Sequence, residues 1–139
     1  MKLGPLNHDG VATPSIQDSI AFWRDVMGAT KIHEPFEMPA QGVKVCFVDT
    51  PNSQIELIEP LNEQSPIHNF IQKNPNGGQH HMCFEVDDIH EAVEEMCKRG
   101  ATVLGKPRIG AHGTLIIFVH PKNSNGVLIE LMETPKGHH

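Results

Sequence analysis

Hydrophobic and polar positions change period several times along the chain, and the changes mark its elements. Leu6-Asn-His-Asp-Gly-Val-Ala-Thr13 reads as a short strand, punctuated by Pro14-Ser15-Ile16-Gln17-Asp18. Ile20, Phe22, Trp23, Val26 and Met27 follow at helical spacing as far as Gly28-Ala29-Thr30, where glycine suits a left-handed helix cap. The succession then returns. His81–Val86 is strand-like, Asp87-Asp88 is a helix start, and Ile89, Ala92, Val93, Met96 and Cys97 form a stripe that stops at Gly100-Ala101-Thr102. The halves also close alike, on Gln54-Ile-Glu-Leu-Ile-Glu-Pro60 and on Leu128-Ile-Glu-Leu-Met-Glu-Thr-Pro135. Between helix and closing strand each half holds at least one more strand, Gly42–Val48 and Thr114–Val119. Turn signals at Asp49-Thr50-Pro51-Asn52 and at Pro121–Gly126 set these strands off. The repeat predicts an α+β fold, a single domain over 1–139 built from two tandem βαβββ modules, 6–61 and 79–134. The linker 62–78 carries a short helical stretch with Ile67, Phe70 and Ile71.

Composition narrows the class without changing this picture. Residues of the AVILMFWYC set make up 38% and charged residues 20%, which argues against disorder. A formal net charge of -6 argues against a nucleic-acid partner. No apolar run approaches the ~18 residues of a membrane span, and no signal-peptide core is present. Three cysteines, Cys46, Cys83 and Cys97, are too few and odd for a disulfide framework and fit a reducing compartment. The expectation is a cytoplasmic protein, or one of the mitochondrial matrix in a eukaryote. Of the ten histidines, His138 and His139 belong to a tag remnant over 136–139 and are set aside.

Taken singly, a histidine on a strand is usually structural, and a glutamate in Ile-Glu-Leu is usually an outward charge. The repeat changes that weighing. His8 precedes Glu56 by 48 positions and His81 precedes Glu130 by 49, so each half offers one imidazole and one carboxylate. Two of each suit a borderline divalent ion such as Co²⁺, Zn²⁺, Ni²⁺ or Mn²⁺ and leave positions open for substrate. Glu59 and Glu133 lie three residues on, so they face the other way, and they read as solvated strand ends. His80 rivals His81: its spacing of 20 to Gly100 equals that of His8 to Gly28. Strand alternation favours His81, because His80 shares a face with Met82, Phe84 and Val86, the set expected to pack on a helix. Phe22 and Trp23 read as core and Cys83 as packing. His112 lies in a glycine-flanked loop whose N–H groups could meet an oxygen. Lys122 reads equally as an anion contact or a solvated turn residue.

The residues resemble the vicinal oxygen chelate superfamily and, within it, the methylmalonyl-CoA epimerase family. The motifs are Leu6-Asn-His-Asp-Gly-Val-Ala12, Gln54-Ile-Glu-Leu-Ile-Glu-Pro-Leu61 and Ser65-Pro-Ile67 with Phe70. They continue with Gly77-Gly-Gln-His-His-Met-Cys-Phe-Glu-Val-Asp-Asp-Ile89, Ile109-Gly-Ala-His-Gly113, and His120-Pro-Lys122 with Gly126-Val-Leu-Ile-Glu-Leu131, covering residues 6–134. The resemblance implies a curved, partly closed mixed sheet around a metal site. It places the ligands at His8, Glu56, His81 and Glu130, which resolves His81 over His80. It implies one divalent ion per chain, Co²⁺ first, with Zn²⁺, Ni²⁺ and Mn²⁺ as alternatives. The partners it implies are a CoA thioester and a second copy of the chain; Gln41, His112, Gly113 and Lys122 are the expected substrate-binding residues.

The implied reaction is epimerisation of methylmalonyl-CoA through a planar enolate, which needs a base on each face. Some relatives carry a glutamate three positions beyond the glycine of the Gln-Gly-Val turn; here that turn is Gln41-Gly42-Val43 and the position is Val45. Glu56 stands where some epimerases have a glutamine ligand, so Glu56 and Glu130 are the expected bases as well as ligands. Two other readings remain open: a glyoxalase I-like lactoylglutathione lyase with the same four ligands, and a non-enzymatic binding protein of this fold. An extradiol dioxygenase needs only two histidines and one glutamate on iron, so the fourth ligand counts against it.

Overall fold

Every strand run marked above is a strand in the computed structural model, which describes residues 1–136; the end of the expected tag remnant, 137–139, lies outside them. The first part of the chain runs β1 (Leu6–Ala12), α1 (Ile16–Ala21), β2 (Lys31–Ile32), β3 (Phe36–Met38), β4 (Val43–Asp49), β5 (Gln54–Pro60) and α2 (His68–Lys73). The second runs β6 (Gly78–Val86), α3 (Ile89–Lys98), β7 (Val103–Ile109), β8 (Leu115–Val119) and β9 (Ile129–Glu133). This is an α+β protein with mixed strand pairing. The chain divides into two compact units, one of residues 8–80 and one of residues 1–7 together with 81 onward.

In the unit of residues 8–80, β5 pairs in parallel with β1 and antiparallel with β4. The far edge of β4 is covered by β2 and β3. Pro35 separates these two pieces, as befits an edge, where a missing N–H costs no ladder bond. One face of this sheet packs Cys46, Val48 and Leu57 under Ile16 of α1, with Ile20 and Trp23 alongside.

In the other unit β9 pairs in parallel with β6 and antiparallel with β8, which pairs with β7. The β7–β8 register shifts between Leu104 and Arg108, the stretch holding Gly105 and Pro107, so β7 is a bulged strand. Val86, Ile117, Val119 and Leu131 pack with Ile89, Ala92 and Met96 of α3. The opposite face carries a smaller cluster of Cys83, Ile116 and Met132 with Phe118 against it.

Helices α1 and α3 start by one device used twice. Ser15 precedes α1 and its Oγ accepts from the Asp18 N–H; Asp88 precedes α3 and its Oδ1 accepts from the Glu91 N–H. Gly28 and Gly100 take the left-handed conformation expected of the two Gly-Ala-Thr stops, with φ of 77° and 92°.

Three expectations need correction. The first helix is α-helical for six residues and continues as a π-helical turn over Phe22–Val26. Ile16, Ile20 and Trp23 take the face that meets the sheet, leaving Phe22, Val26 and Met27 at 47%, 71% and 58% exposure rather than in the core. Cys97 is likewise exposed on α3, because Ile89, Ala92 and Met96 already fill the buried stripe. Finally, β6 begins at Gly78, inside the stretch read as linker.

Candidate metal centre

The parallel pairing within each unit sets up the same local lattice. Glu56 on β5 is the register partner of Gly10 on β1, and His8 lies two residues before that partner, on the same face. Glu130 on β9 is the partner of Cys83 on β6, and His81 again lies two residues before it. The offset brings His8 Nε2 to 3.7 Å from Glu56 Oε1, and His81 Nε2 to 3.1 Å from Glu130 Oε1. All four residues are buried, at 1%, 7%, 5% and 5% exposure respectively. Buried carboxylates and imidazoles at such range are costly unless they bind each other or a cation.

The donor atoms suit a metal. Two ligand atoms each about 2.1 Å from one ion stand ~3.0 Å apart at a right angle and ~3.4 Å apart at the tetrahedral angle. The His81–Glu130 pair already has that spacing, and the His8–Glu56 pair needs a small closing movement. Each pair is one nitrogen and one carboxylate oxygen, the donor mix of borderline divalent ions. Within each unit, therefore, the expected residues are brought together.

His80 is placed differently from His81. Its ring meets Phe70 of α2 edge-on at 5.2 Å. Glu59 and Glu133 are not solvated ends. Glu59 Oε1 accepts from the Ile16 N–H at 2.7 Å, and Glu133 Oε2 accepts from the Ile89 N–H at 3.0 Å. Each thus satisfies an orphan donor at the first residue of its helix, and its charge favours that helix end. The alternation that aims Glu56 and Glu130 at histidines aims these two at helices.

An aromatic ring stands opposite each inner glutamate. Phe47 on β4 is the partner of Glu56, and Phe118 on β8 is the partner of Glu130. The Phe118 ring meets the His81 imidazole edge-on at 5.5 Å, while the Phe47 ring meets Phe36 at 5.8 Å and His33 edge-on at 6.4 Å. Sequence reasoning missed these rings; the signal was the Phe-Val dipeptide before each turn, Phe47-Val48 and Phe118-Val119. Val45 lies two residues before Phe47, hence on the Glu56 face, and is buried as the partner of Ile58. No proton acceptor stands at that position.

The other expected substrate contacts lie in turns. Gln41 ends the 3-10 turn Pro39–Gln41, and Gly42 follows it in the left-handed conformation. His112 and Gly113 sit in the β7–β8 turn and line a cavity of about 500 Å³ with Ile109, Glu133 and Lys136. The Gly110 and Gly113 N–H groups are spent inside that turn, on Thr114 O and Gly110 O. Lys122 is exposed in the 3-10 turn Pro121–Asn123, where its N–H donates to His120 Nδ1. Cys83 is buried beside Ile116 and Met132, a packing role as expected.

Known proteins share this layout. The Glyoxalase/Bleomycin resistance protein/Dioxygenase superfamily pattern matches residues 7–118. An ethylmalonyl-CoA/methylmalonyl-CoA epimerase of Cereibacter sphaeroides is 47% identical over 131 residues, covering 93% of this chain and 97% of that protein. A mitochondrial methylmalonyl-CoA epimerase of Dictyostelium discoideum is 46% identical over 132 residues, covering 94% and 79%. A solved methylmalonyl-CoA epimerase in complex with methylmalonyl-CoA and ammonium superposes with a TM-score of 0.87 at 30% identity, covering 97% of each chain. With its fold and its sequence shared along nearly its whole length, the chain belongs to the Glyoxalase/Bleomycin resistance protein/Dioxygenase superfamily and stands among its methylmalonyl-CoA epimerases, which are isomerases.

Proposed function

We propose that the protein interconverts the (R) and (S) epimers of methylmalonyl-CoA. The observation that carries this reading is the repeated buried pair: an imidazole and a carboxylate in each unit, His8 with Glu56 and His81 with Glu130. We propose that the four side chains hold one divalent ion per chain, with Co²⁺ first and Zn²⁺, Ni²⁺ or Mn²⁺ as alternatives. Such an ion supplies Lewis acidity toward the substrate oxygens.

The chain's own work is proton transfer. The α-carbon lies between a thioester and a carboxylate, so its proton is acidic for a C–H. Glu130 takes it from one face and Glu56 returns one to the other, through a planar enolate, with the roles exchanged in the reverse direction. A buried Val45 supports assigning the second base to Glu56. A carboxylate that also binds a cation is a weakened base, so charge stabilisation on the enolate must compensate. Gln41, His112, Gly113 and Lys122 are proposed to contact the CoA thioester, and a second copy of the chain is the proposed partner. Three cysteines without disulfides support a reducing compartment, the cytoplasm or a mitochondrial matrix. Among the described residues no helix is long and apolar enough to cross a membrane.

The test is an assay of two substrates beside elemental analysis. Stereodefined methylmalonyl-CoA should racemise, and the glutathione hemithioacetal of methylglyoxal should not turn over. The reverse outcome assigns the chain to the lactoylglutathione lyases. Neither activity, in a protein that holds no metal, makes it a binding protein.

A further inference from the structure

Arg108 occupies a position that the repeat makes comparable with another residue. On β8, Ile116 lies two residues before Phe118, and its antiparallel partner on β7 is Arg108. On β4, Val45 lies two residues before Phe47, and its antiparallel partner on β3 is Phe36. Phe36 packs its ring on Phe47 at 5.8 Å; Arg108 holds its guanidinium carbon 5.5 Å from the centroid of the Phe118 ring. The scaffold accepts a phenylalanine at this place, so seating the inner ring does not require a cation.

The cation lies on the sheet face that carries the donor pair. Antiparallel partners project to one side of a sheet, so Arg108 shares a face with Ile116, and with Phe118, Cys83 and Met132 of the same small cluster. Phe118 in turn contacts His81 and stands opposite Glu130. A guanidinium therefore sits one ring away from the His81–Glu130 pair, in the same unit. It is also uncommitted. Arg24 binds Asp25 through Nε and Nη2, and Arg99 binds Glu95 at 2.9 Å. Among the described residues the Arg108 side chain makes no hydrogen bond or ion pair; its contact is the ring. A cation–π contact fixes the guanidinium plane and leaves its edge donors to meet a two-oxygen anion.

We propose that Arg108 is the anion anchor of this site, binding the paired oxygens of a carboxylate or phosphate on the thioester substrate. This rests on the epimerase reading for the substrate class. The two sources share one chemistry: the acyl carboxylate beside the reacting carbon, or a phosphate of the CoA moiety. Either way Arg108 is a binding residue that selects acidic thioesters, and it takes no proton.

Equilibrium binding tests it without turnover. Malonyl-CoA and malonyl-N-acetylcysteamine, which keeps the carboxylate and has no phosphate, are titrated calorimetrically into wild type, Arg108→Gln, Arg108→Lys and Arg108→Phe. Metal content and melting temperature are measured on each. Arg108→Gln and Arg108→Phe should weaken malonyl-CoA at least fivefold, with Arg108→Lys between them and wild type and with metal and melting unchanged. An equal loss with the short thioester assigns the carboxylate; a loss confined to malonyl-CoA assigns a phosphate. A change below fivefold with both ligands overturns the proposal. So does weakening accompanied by lost metal or early melting in both Arg108→Gln and Arg108→Phe, which is a structural role. Failure of the epimerase reading shows separately, as a wild type that binds malonyl-CoA and does not racemise methylmalonyl-CoA.

Discussion

The two units solve one problem with different surroundings. Both place a histidine two residues before the strand partner of a glutamate, and both place a phenylalanine opposite that glutamate. Beyond this they diverge. In the unit of residues 8–80 the face that carries the histidine and glutamate continues as Phe36, Phe47 and Val45; in the other unit it continues as Phe118 and Arg108. The register partner of Glu56 is a glycine, whereas that of Glu130 is a cysteine buried under Ile116 and Met132. The repeat thus holds the donors constant and varies what stands beside them.

The comparison breaks or sharpens at four points. The largest effect belongs to the histidines. His8→Ala and His81→Ala should each lose most of the metal by elemental analysis and lower kcat/KM by about 100-fold or more, since even outer-shell changes cost 10–100-fold. His33→Ala and His68→Ala should keep both. Metal lost in His80→Ala and kept in His81→Ala would show the wrong strand face to be functional.

Next come the proposed bases. Glutamine can still coordinate through its carbonyl oxygen, so Glu56→Gln and Glu130→Gln should keep metal while epimerisation falls by roughly 10²–10⁴, the range of general acid–base catalysis. In deuterium oxide each variant should still exchange the α-proton of one epimer, and the two should prefer opposite epimers. Wild-type epimerisation by Glu56→Gln would leave Glu56 a ligand only, with His112 the first candidate for the second base.

A smaller effect attends the outer glutamates. Glu59→Ala and Glu133→Ala each remove one acceptor from a helix N-terminus and should cost about 1 kcal/mol, read by denaturant unfolding. The two losses should match and add, with metal content unchanged; unequal losses would mean that the helices are not equivalently docked.

The smallest concerns a cluster in the unit of residues 8–80. The Gln54 amide, then His33, hold the Asp49 carboxyl below the usual carboxylate range. A depressed folded pKa stabilises above the unfolded value of about 4 and loses that stabilisation as pH falls through the folded value. The pair is partly exposed, so solvent screening limits it to ~0.5 kcal/mol or less. Asp49→Asn should therefore be slightly less stable than wild type at pH 7 and indistinguishable from it in strong acid. A difference that grows on acidification would reverse the sign of this argument.

How far the sequence could be read depends on the range of each interaction. Alternation favours His81 over His80, because a strand has period two and only one face can carry the helix, and the family resemblance resolves the choice. The repeated succession of strands and helix was legible because Gly-Ala-Thr and Ile-Glu-Leu each occur twice. The helix-capping roles of Glu59 and Glu133 were not legible, because their partners lie 43 and 44 residues away and no local spacing encodes them. Arg108 escaped notice because the β7 bulge breaks the period on which a face assignment depends. Phe22 misled for a related reason: a six-residue helix running into a π turn has one buried stripe, and Ile16, Ile20 and Trp23 fill it.

The Glu-x-x-Glu spacing within β5 and β9 has a consequence for strand order during folding. A slip of β9 by one residue would exchange its faces, turning Glu130 into the layer of Val86, Ile117 and Met96, and turning Leu131 toward His81. An unpaired carboxylate in that layer costs several kcal/mol or forces protonation, and the α3 N-terminus would lose its acceptor at the same time. One misregistration is thereby penalised twice, by separate groups on opposite sides of the strand. The two carboxylates act together as a parity check on register, independent of whatever chemistry either performs.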